Sequence, residues 1–484
     1  MQGVMGVIQY ILDLGPSVMM PIIIFGLSLI FGIKFSKAIR AALIIGIGFI
    51  AINLVIGLMV GALGPATTAM VENLNVDLDV MDVGWPIGAA IAFGTSAVVP
   101  WVFVLGILMN VGLLALNRTQ TANIDMWNYW HFIFVAGFIN VALRDAFGAT
   151  TALVIAVGVS LIGNWMTLKL ADWTAPIVQK FFELPGVSLP HMETITWAPI
   201  GYAVNWLVDR VPGLKDLEAD PDTIREKFGI LGETMVLGTV LGLIIALIAY
   251  GPNLFTDFGT AFANILNTAI SLGAVMMVLP RMVAILMEGL LPLSEGAREF
   301  ITKKFPGREI HIGLDAAVAI GHPANVATGL LMVPIALLLA IGMNALGLNR
   351  MLPFADLAIL PFYAIWAVGF SKGNIVRGVI NGTVFLAGML FIGTQLAPYL
   401  TQMGEEVGFA MPEGAVLISS IDVGAHLNGY LLALPFIRFI EGGWGAFALW
   451  AVIVTVIFVL VGIMMAKSDI KAIVADIEDP LADF

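Results

Sequence analysis

The sequence GLDAAVAIGHPANVATG (313–329) places two ionisable residues, Asp315 and His322, in an otherwise apolar and glycine-rich run. This run leads into an apolar stretch at 324–347, which is long enough to cross the hydrocarbon core of a bilayer. Ionisable groups are costly at that depth, and where they occur they usually serve binding or transport. We therefore expect Asp315 and His322 to belong to a functional site inside a membrane protein.

The composition of the whole chain also indicates a membrane protein. Hydrophobic residues occupy 60% of the 484 positions and charged residues 12%, against about 45–50% and about 25% in soluble domains. The first basic residue is Lys34, so the first apolar stretch is interpreted as a retained span and not as a signal peptide. The chain has no cysteine, which excludes disulfides, thiolate metal sites and a phosphocysteine step on this chain. With a net charge of −12, no nucleic-acid partner is expected.

Apolar runs of about 20 residues recur along the chain and predict an all-α polytopic membrane protein with about 11 transmembrane helices. With the N-terminus outside, every odd-numbered run ends in the cytoplasm. Four basic clusters follow the first, fifth, seventh and eleventh runs, so all four clusters and the C-terminus are cytoplasmic, as the positive-inside rule requires. The runs lie near residues 15–33, 41–63, 98–117, 128–143, 147–168, 231–250, 260–290, 324–347, 353–370, 374–397 and 444–466. The clusters are Lys34, Lys37 and Arg40; Arg210, Lys215, Arg225 and Lys227; Arg298, Lys303, Lys304 and Arg308; and Lys467 with Lys471.

Four other segments, at 84–97, 190–207, 313–323 and 412–431, are too short or too often interrupted by Gly and Pro to be ordinary spans. Irregular backbone is tolerated at membrane depth only where it is buried in protein or lines a cavity. Broken segments of this kind indicate the binding site of a transporter. We therefore predict re-entrant hairpins that line such a site.

The two halves of the chain are related by an internal repeat. At an offset of 222 positions (397 − 175), residues 175–190 and 397–412 share five identities in sixteen. Met109-Asn110 and Met343-Asn344 each end an apolar run and are each followed by Leu-Asn-Arg. The first copy takes five spans, an odd number, so the second copy must cross the membrane in the opposite direction, as in many secondary transporters. The predicted parts are a first inverted repeat at 1–222, a second at 223–440, and a final helix with a cytoplasmic tail at 441–484.

Imidazole and carboxyl groups concentrate in the broken segments. A neutral polyhydroxylated ligand needs buried donors and acceptors, with an aromatic face such as that of Trp85 or Trp197 against its C–H groups. An anionic ligand would need convergent Lys and Arg side chains, which these segments lack. We therefore expect a neutral polyol or sugar as the ligand. The candidate binding residues are Asp82, Trp85, His131, His191, Asp315, His322 and Asp422.

Structural roles stay open for some polar residues. Asp82 can cap the helix that follows it instead of binding a ligand, and His426 can serve the backbone alone. Arg144 is expected to form a local pair with Asp145. No HxxxH or HxxE spacing places two metal ligands on one helical face, so we expect neither a metal ion nor another cofactor.

Six blocks of sequence, in order along the chain, carry a family resemblance. They are YILDLGPSVMMPI (10–22), MDVGWP (81–86), NIDMWNYWH (123–131), FFELPGVSLPH (181–191), IREKFGILGE (224–233) and GLDAAVAIGH (313–322). Together they resemble the galactitol-type IIC permease of the bacterial phosphoenolpyruvate-dependent sugar phosphotransferase system, in the superfamily that also holds the ascorbate permeases. The resemblance implies a homodimer in the lipid of the bacterial inner membrane, with a periplasmic N-terminus. It also implies a core domain that moves in an elevator-like manner against a V-shaped scaffold domain.

The resemblance assigns parts of the chain to these two domains and to the site. Scaffold helices would lie in 1–80 and 223–309, and core segments in 81–209 and 310–440. By motif match His131, His191, Thr194 and Asp315 contact the substrate, and His322 matches a family histidine of unspecified role. The chain would be a transport subunit and not an enzyme, since a separate IIB protein, charged by IIA, phosphorylates the substrate on arrival. The alternative is an ion-coupled secondary transporter of a small neutral solute, with Asp315 as the proton or sodium site.

Overall fold

The computed structural model describes residues 16–74, 79–95, 97–125, 128–214, 219, 234–304, 308–353, 355–409, 411 and 415–475. Several sequence predictions fall wholly or partly outside these residues: the start of the first block before residue 16, the basic residues Lys215, Arg225 and Lys227, the block at 224–233, and the tail after 475.

Helices make up most of the described chain because its apolar runs are long enough to span a bilayer, where backbone groups must form their hydrogen bonds within the segment. Several of these helices continue through an internal proline, as at Pro65 and Pro334. In chain order the helices are α1 (Pro16–Ile30), α2 (Phe35–Leu74), α3 (Gly84–Gly94), α4 (Val99–Ala115), α5 (Tyr129–Phe147), α6 (Ala149–Lys180), α7 (Met192–Ile195), α8 (Ala198–Val208), α9 (Thr234–Tyr250), α10 (Phe258–Lys304), α11 (Pro323–Ala345), α12 (Leu360–Tyr363), α13 (Ile365–Phe370), α14 (Ile375–Glu406), α15 (Ile421–Ala425), α16 (Leu427–Lys467) and α17 (Ile470–Ala475). Short 3-10 helices lie at Gly251–Phe255, Ala316–Ala319 and Leu357–Ile359.

Seven helical segments in the described part of the chain are long and apolar enough to cross a membrane. They are Tyr129–Phe147, Ala149–Lys180, Gly238–Phe255, Phe258–Val278, Pro323–Ala345, Ile375–Glu406 and Leu427–Lys467. The prediction of an all-α polytopic membrane protein is therefore confirmed, whereas the total of 11 spans stays a prediction.

The run at 353–370 was predicted as one transmembrane helix, and the structure shows no continuous helix there; that this segment crosses the membrane stays a prediction. The chain there forms three short pieces, the 3-10 helix at Leu357–Ile359 followed by α12 and α13. Pro361 lacks a backbone N–H and cannot continue a helix from the preceding turn. This irregular backbone is tolerated because it is buried inside the protein, where Asp356 at its start is fully enclosed.

The end of the chain turns sharply at Gly443. Within α16 this residue has φ 66° and ψ −159°, a backbone conformation that only glycine adopts without strain. The turn separates a first part of α16, which packs near the centre of the molecule, from a last part whose side chains are mostly exposed. The turn lies three residues beyond the end of the second repeat as predicted from the sequence, at 440.

Two small parallel sheets connect the halves of the chain. In one sheet β1 (Val80–Asp82) pairs with β5 (Leu417–Ser419), in the register Val80 to Leu417, and Val80 also bridges to Met351. In the other sheet β4 (His311–Gly313) lies between β2 (Thr121–Asn123) and β3 (Val187–Ser188). Each sheet thus joins the two halves of the chain. The broken segments at 84–97, 190–207 and 313–323 begin where β1, β3 and β4 end, and the segment at 412–431 contains β5.

The long helices form two packed sets. One set consists of α1, α2, α9 and α10, which pack on one another along most of their lengths. The second set contains α4 to α8 and α11 to α16, with the pairs α5–α6 and α11–α14 in close contact. The sets meet where α9 and α10 pass α11, where α10 passes the 3-10 helix at 316–319, and where α2 passes the 3-10 helix at 357–359.

Ion pairs link segments that are distant in sequence. Arg144 pairs with Glu406 and not with Asp145 as predicted, because the ends of α5 and α14 lie side by side. Arg350 binds Asp79 in a two-pronged contact, with 2.9 Å between its Nε and Oδ1 of the carboxylate. This hydrogen bond to a guanidinium lowers the pKa of Asp79 below its usual value.

Gly424 marks the closest approach of α15 to α14. A methyl group at this position would overlap the carbonyl oxygen of Met389, whereas a methyl group at Gly342 would meet nothing within 4 Å. Since overpacking typically costs about 1–3 kcal/mol and backbone cannot move aside easily, we expect Gly424→Ala to lower the melting temperature and the yield of folded protein in detergent. Gly342→Ala, a glycine-to-alanine change within helix α11, is the control and should leave both unchanged or improved. Equal behaviour of the two variants would contradict the close approach.

Candidate functional site

Polar side chains from several of the broken segments meet at the centre of the second helix set. His131 lies in the first turn of α5, and His191 lies between β3 and α7 in an extended conformation. Asp315 follows β4 and caps the 3-10 helix behind it, with its Oδ1 accepting from the N–H of Ala317 at 2.8 Å. His426 lies at the junction of α15 and α16. Each group is held where a strand or a helix begins or ends, so its direction is set by backbone hydrogen bonds.

Three imidazoles form a row. His131 Nδ1 lies 3.0 Å from Nε2 of His426, and His131 Nε2 lies 2.9 Å from Nε2 of His191. The rings of Trp130, Phe134 and Phe362 enclose this row. All three histidines are buried, so their ring nitrogens depend on one another and on nearby protein groups for hydrogen bonds.

Carboxyl groups surround the free end of the row. Oδ2 of Asp315 lies 3.7 Å from Nε2 of His191, and Oε2 of Glu193 lies 3.7 Å from Nε2 of His131 and 3.9 Å from Nε2 of His191. In the described part of the chain, no Lys or Arg side chain forms a hydrogen bond or ion pair with any of these four residues. The site is therefore rich in acceptors and lacks a fixed positive charge.

A second group of acidic side chains adjoins the first. The side chain of Glu193 lies beside those of Asp422 and Tyr363, and the hydroxyl of Tyr363 donates to Oδ1 of Asp422 at 3.4 Å. The N–H of Asp422 donates in turn to Oδ2 of Asp356 at 3.2 Å.

Asp82 and Trp85 are connected to this acidic group by hydrogen bonds from backbone N–H groups. Oδ1 of Asp82 accepts from the N–H of Gly84 and its Oδ2 from the N–H of Ala355, both at 3.0 Å. The N–H of Trp85 donates to Oδ1 of Asp356 at 2.9 Å. These contacts fit the alternative in which Asp82 satisfies backbone groups at the start of α3, and a contact of either side chain with substrate stays a prediction.

Thr194 and His322 have local partners. The hydroxyl of Thr194 donates to the carbonyl oxygen of His191 at 3.3 Å, which places it beside the histidine row. His322 accepts the N–H of Ala324 at 3.3 Å and so caps α11, with its ring against Phe181 and Phe182. Of the predicted candidates, the structure therefore brings together His131, His191, Thr194, Asp315 and Asp422, and it gives His322 a capping contact.

The histidine row and the acidic groups beside it are here called the cluster. Three of its residues, Glu193, Asp356 and Tyr363, were not among the predicted candidates. Glu193 stands two positions after His191, so this histidine was a signal for it. Asp356 follows the second Leu-Asn-Arg by six positions (356 − 350), as Asp125 follows the first by seven (125 − 118). Oδ2 of Asp125 accepts the N–H of Asp315 at 2.9 Å, a role that matches that of Asp356 towards Trp85. The repeat was therefore a usable signal for Asp356, but we have no sequence signal for Tyr363.

The cluster has buried polar atoms that lack partners in the described part of the chain. They are Nδ1 of His191, Oε1 of Glu193 and Oδ2 of Asp422. An unsatisfied buried polar atom is costly, so these atoms suit the hydroxyl groups of a bound ligand. His131, His191 and Glu193 also offer one ligand atom each within 4.8 Å, a spacing that a metal ion could use. Sequence spacing did not indicate this group, because its members come from two segments. Both nitrogens of His131 already take part in the row, so a metal would have to displace a hydrogen bond.

Comparison with known proteins identifies the family of the chain. Residues 10–414 match the family described as the phosphotransferase (PTS) system sugar-specific permease component. The chain belongs to this family. It is 36% identical over 430 residues to the galactitol-specific EIIC component of the PTS system from Escherichia coli K12 and to that from strain O157:H7, which covers 89% of this chain and 90% of each relative. It is also 36% identical over 419 residues to a putative permease IIC component from strain K12, covering 86% of this chain and 91% of the relative.

Membership confirms the resemblance seen in the six sequence blocks. The chain is a IIC permease, a multi-pass transport subunit of the inner membrane and not an enzyme, and its transport is coupled to phosphorylation of the sugar by IIB. This decides against the alternative of an ion-coupled secondary transporter. Asp422 and His426 lie beyond residue 414, where the family match ends.

Proposed function

We propose that this IIC permease binds a neutral polyol of the galactitol type among His131, His191, Glu193 and Asp315 and carries it to the cytoplasm. The observation that carries the proposal is a buried set of imidazole and carboxyl groups with atoms left for a ligand and with no basic partner. Hydroxyl groups donate to carboxylates and both donate to and accept from imidazoles. The galactitol-specific relatives support the choice of polyol.

The same electrostatics favours release of the product. Phosphorylation adds about 1.5–2 negative charges at neutral pH. A phosphate group needs Arg, Lys or helix N-termini to replace its water, whereas the site presents Glu193, Asp315 and Asp422. The phosphorylated polyol would therefore leave a site that binds the neutral polyol well.

The internal symmetry of the contacts supports two inverted repeats, 1–222 and 223–440. The leading strand of each half, β1 or β4, pairs with strands of the other half. Ser188 of β3 pairs with Gly313, and Ser419 of β5 pairs with Asp82. Three positions after these serines come His191 and Asp422 (188 + 3 and 419 + 3), so equivalent places in the two halves both contribute to the site.

The two packed sets of helices support a division into scaffold and core. The set of α1, α2, α9 and α10 falls within 1–80 and 223–309, the ranges of the expected scaffold. The site lies in the other set, which falls within 81–209 and 310–440 apart from the last part of α16. We propose that the second set is the core, and that it carries the polyol past the scaffold in an elevator-like step.

The orientation with a periplasmic N-terminus is supported by which segments touch. If odd-numbered spans end in the cytoplasm, each of the following polar contacts joins two segments at span ends that lie on the same side of the membrane. Contacts on the cytoplasmic side are Arg40 to Glu288, Lys169 to Arg118, Arg308 to Leu114, Arg377 to Asp209 and Trp173 to Ser468. Contacts on the periplasmic side are Asn73 to Ala249, Asp79 to Arg350 and Arg144 to Glu406. The basic clusters that these contacts include lie on the cytoplasmic side, where IIB would dock after charging by IIA.

The homodimer and the lipid contacts belong to the same proposal. Apolar side chains such as Leu54, Ile270, Trp444 and Val452 are more than half exposed on the long helices. Exposed apolar surface of this kind marks membrane or protein contacts. We propose that lipid covers most of it and that a second copy of the chain covers part.

Uptake into vesicles tests the proposed function. Vesicles that contain the purified permease should accumulate radiolabelled galactitol as its phosphate when IIA, IIB and a phosphoryl donor are present on the cytoplasmic side. Without the donor, only slow equilibration is expected. Accumulation of unmodified galactitol on an ion gradient alone would contradict coupling to phosphorylation. Competition by other unlabelled polyols and sugars in the same assay would test the choice of galactitol.

A further inference from the structure

The histidine row ends at His426, whose partners fix where its hydrogen lies. Nδ1 of His426 faces two backbone carbonyl oxygens, those of Asp422 at 3.0 Å and Val423 at 3.3 Å. A carbonyl oxygen can only accept, so this nitrogen carries the hydrogen. In the opposite tautomer a lone pair would face both oxygens.

His426 is neutral. It is fully buried, with the rings of Trp130 and Phe134 against it, and its polar partners in the described part of the chain are the two carbonyl oxygens and His131. A buried imidazolium without a carboxylate in contact would cost several kcal/mol. With its hydrogen on Nδ1, the neutral ring has a lone pair on Nε2.

The position of the hydrogen on His426 determines which nitrogen donates in each hydrogen bond of the row. His131 is fully buried between two other imidazoles, and its ring too is neutral. Because Nε2 of His426 accepts, Nδ1 of His131 must donate to it, and Nε2 of the neutral His131 ring is then an acceptor. Nε2 of His191, 2.9 Å away, must therefore donate. The carboxylate oxygen Oδ2 of Asp315 lies 3.7 Å from this same nitrogen and favours a hydrogen on it. Oε2 of Glu193 lies at nearly equal distances from Nε2 of His131 and Nε2 of His191, 3.7 Å and 3.9 Å, and does not distinguish them. The lone pair of His191 is left on Nδ1, which has no partner in the described part of the chain.

We propose that His426 is a positioning residue that acts through His131 to hold His191 in the tautomer with its hydrogen on Nε2. Nδ1 of His191 then accepts a hydrogen bond from a hydroxyl of the carried polyol. This hydrogen bond to the polyol rests on the proposed function, whereas the tautomer itself does not. Other ionisable groups near the row are those of Glu193, Asp315 and, beyond them, Asp356, Tyr363 and Asp422. In the described part of the chain, none of their carboxyl or hydroxyl groups forms a hydrogen bond or ion pair with the imidazole of His426.

Two variants separate this role from simple packing. His426→Gln keeps an acceptor, the amide oxygen, close to the position of Nε2, whereas His426→Phe keeps a ring against Trp130 and Phe134 but has no acceptor. If His426 served packing alone, Phe would be the better replacement. If it sets the tautomer, Gln is the better replacement, and the order of the two variants is the opposite.

The test is nitrogen-15 NMR of the full-length permease in lipid with labelled histidine, with the His191 signals identified by their loss in His191→Gln. In the wild type and in His426→Gln we expect the hydrogen of His191 on Nε2, and in His426→Phe a mixture or the reverse. Galactitol affinity should fall about tenfold in His426→Phe, the value of a hydrogen bond, and change by no more than about twofold in His426→Gln.

Three outcomes would overturn the proposal. They are a hydrogen on Nδ1 of His191 in the wild type, an unchanged tautomer in His426→Phe, and a weaker effect of Phe than of Gln on affinity. If the wild type bound no galactitol, the proposed function would fail, while the NMR of the ligand-free protein would still decide the direction of the row. If His426→Phe does not fold, His426→Leu replaces it, because it too lacks an acceptor.

Discussion

Asp315→Asn is expected to reduce the affinity for galactitol by about 10- to 150-fold, the range that corresponds to one hydrogen bond to a charged group. The carboxylate uses Oδ1 to cap the 3-10 helix at 316–319 and has Oδ2 beside His191. An asparagine keeps the cap through its oxygen but turns an N–H group towards Nε2 of His191, where a hydrogen already lies. Isothermal titration or a competition assay on the purified permease would measure the loss.

The matched control for Asp315 is Asp209→Asn. Asp209 forms an ion pair with Arg377 at the surface and lies outside the cluster. Its replacement should leave affinity unchanged and stability lower by less than about 1 kcal/mol, since exposed pairs contribute little. Unaltered affinity in Asp315→Asn, with the protein folded, would remove Asp315 from the binding site.

Asp356→Ala is expected to destabilise the permease by about 2 kcal/mol or more, because it leaves the partly buried N–H of Trp85 and the buried N–H of Asp422 without this acceptor, at about 1–3 kcal/mol each. These two groups come from different halves of the chain and meet at this carboxylate. The melting temperature in detergent should fall markedly, and transport should be lost with it. Asp356→Asn keeps one acceptor oxygen, so its melting temperature should lie between those of Asp356→Ala and the wild type.

Asp79→Ala is the control for Asp356. Asp79 is also an aspartate bound across the halves, to Arg350, but the pair is exposed and the expected cost is about 0–1 kcal/mol. Similar melting temperatures for Asp79→Ala and Asp356→Ala would contradict the assignment of Asp356 as the buried link.

The fold class followed from the sequence because bilayer thickness imposes one length scale on every span. Ten of the eleven apolar runs lie on helices of the structure. The exception at 353–370 is as apolar as the others, and hydropathy alone does not distinguish a helix in lipid from an irregular segment enclosed by protein. The contacts that keep this segment irregular come from the 80s and the 420s, far away in sequence.

The site was predictable in part, and the limits have a physical cause. The cost of an ionisable group at membrane depth identified Asp315, and family motifs identified His131, His191 and Thr194. Tyr363 and the hydrogen bond from His131 to His426 depend on two segments that meet only in the folded protein, 295 positions apart in the second case. The pairing of Arg144 with Glu406 was missed for the same reason, since a neighbour in sequence was the default partner.

The pairing of strands between the two halves of the chain affects the order in which the protein can fold during synthesis. β1 is synthesised early, yet its partner β5 starts at Leu417, so most of the protein must be translated before β1 can pair. Until then the polar segments after β1 have no enclosure and must wait in the aqueous insertion machinery or at the bilayer surface, because free backbone N–H and C=O groups are not tolerated in lipid. The two halves of this permease therefore close on each other late in biogenesis. A chain whose synthesis stops before residue 417 lacks β5, so it cannot complete this closure even when its spans are inserted in the membrane.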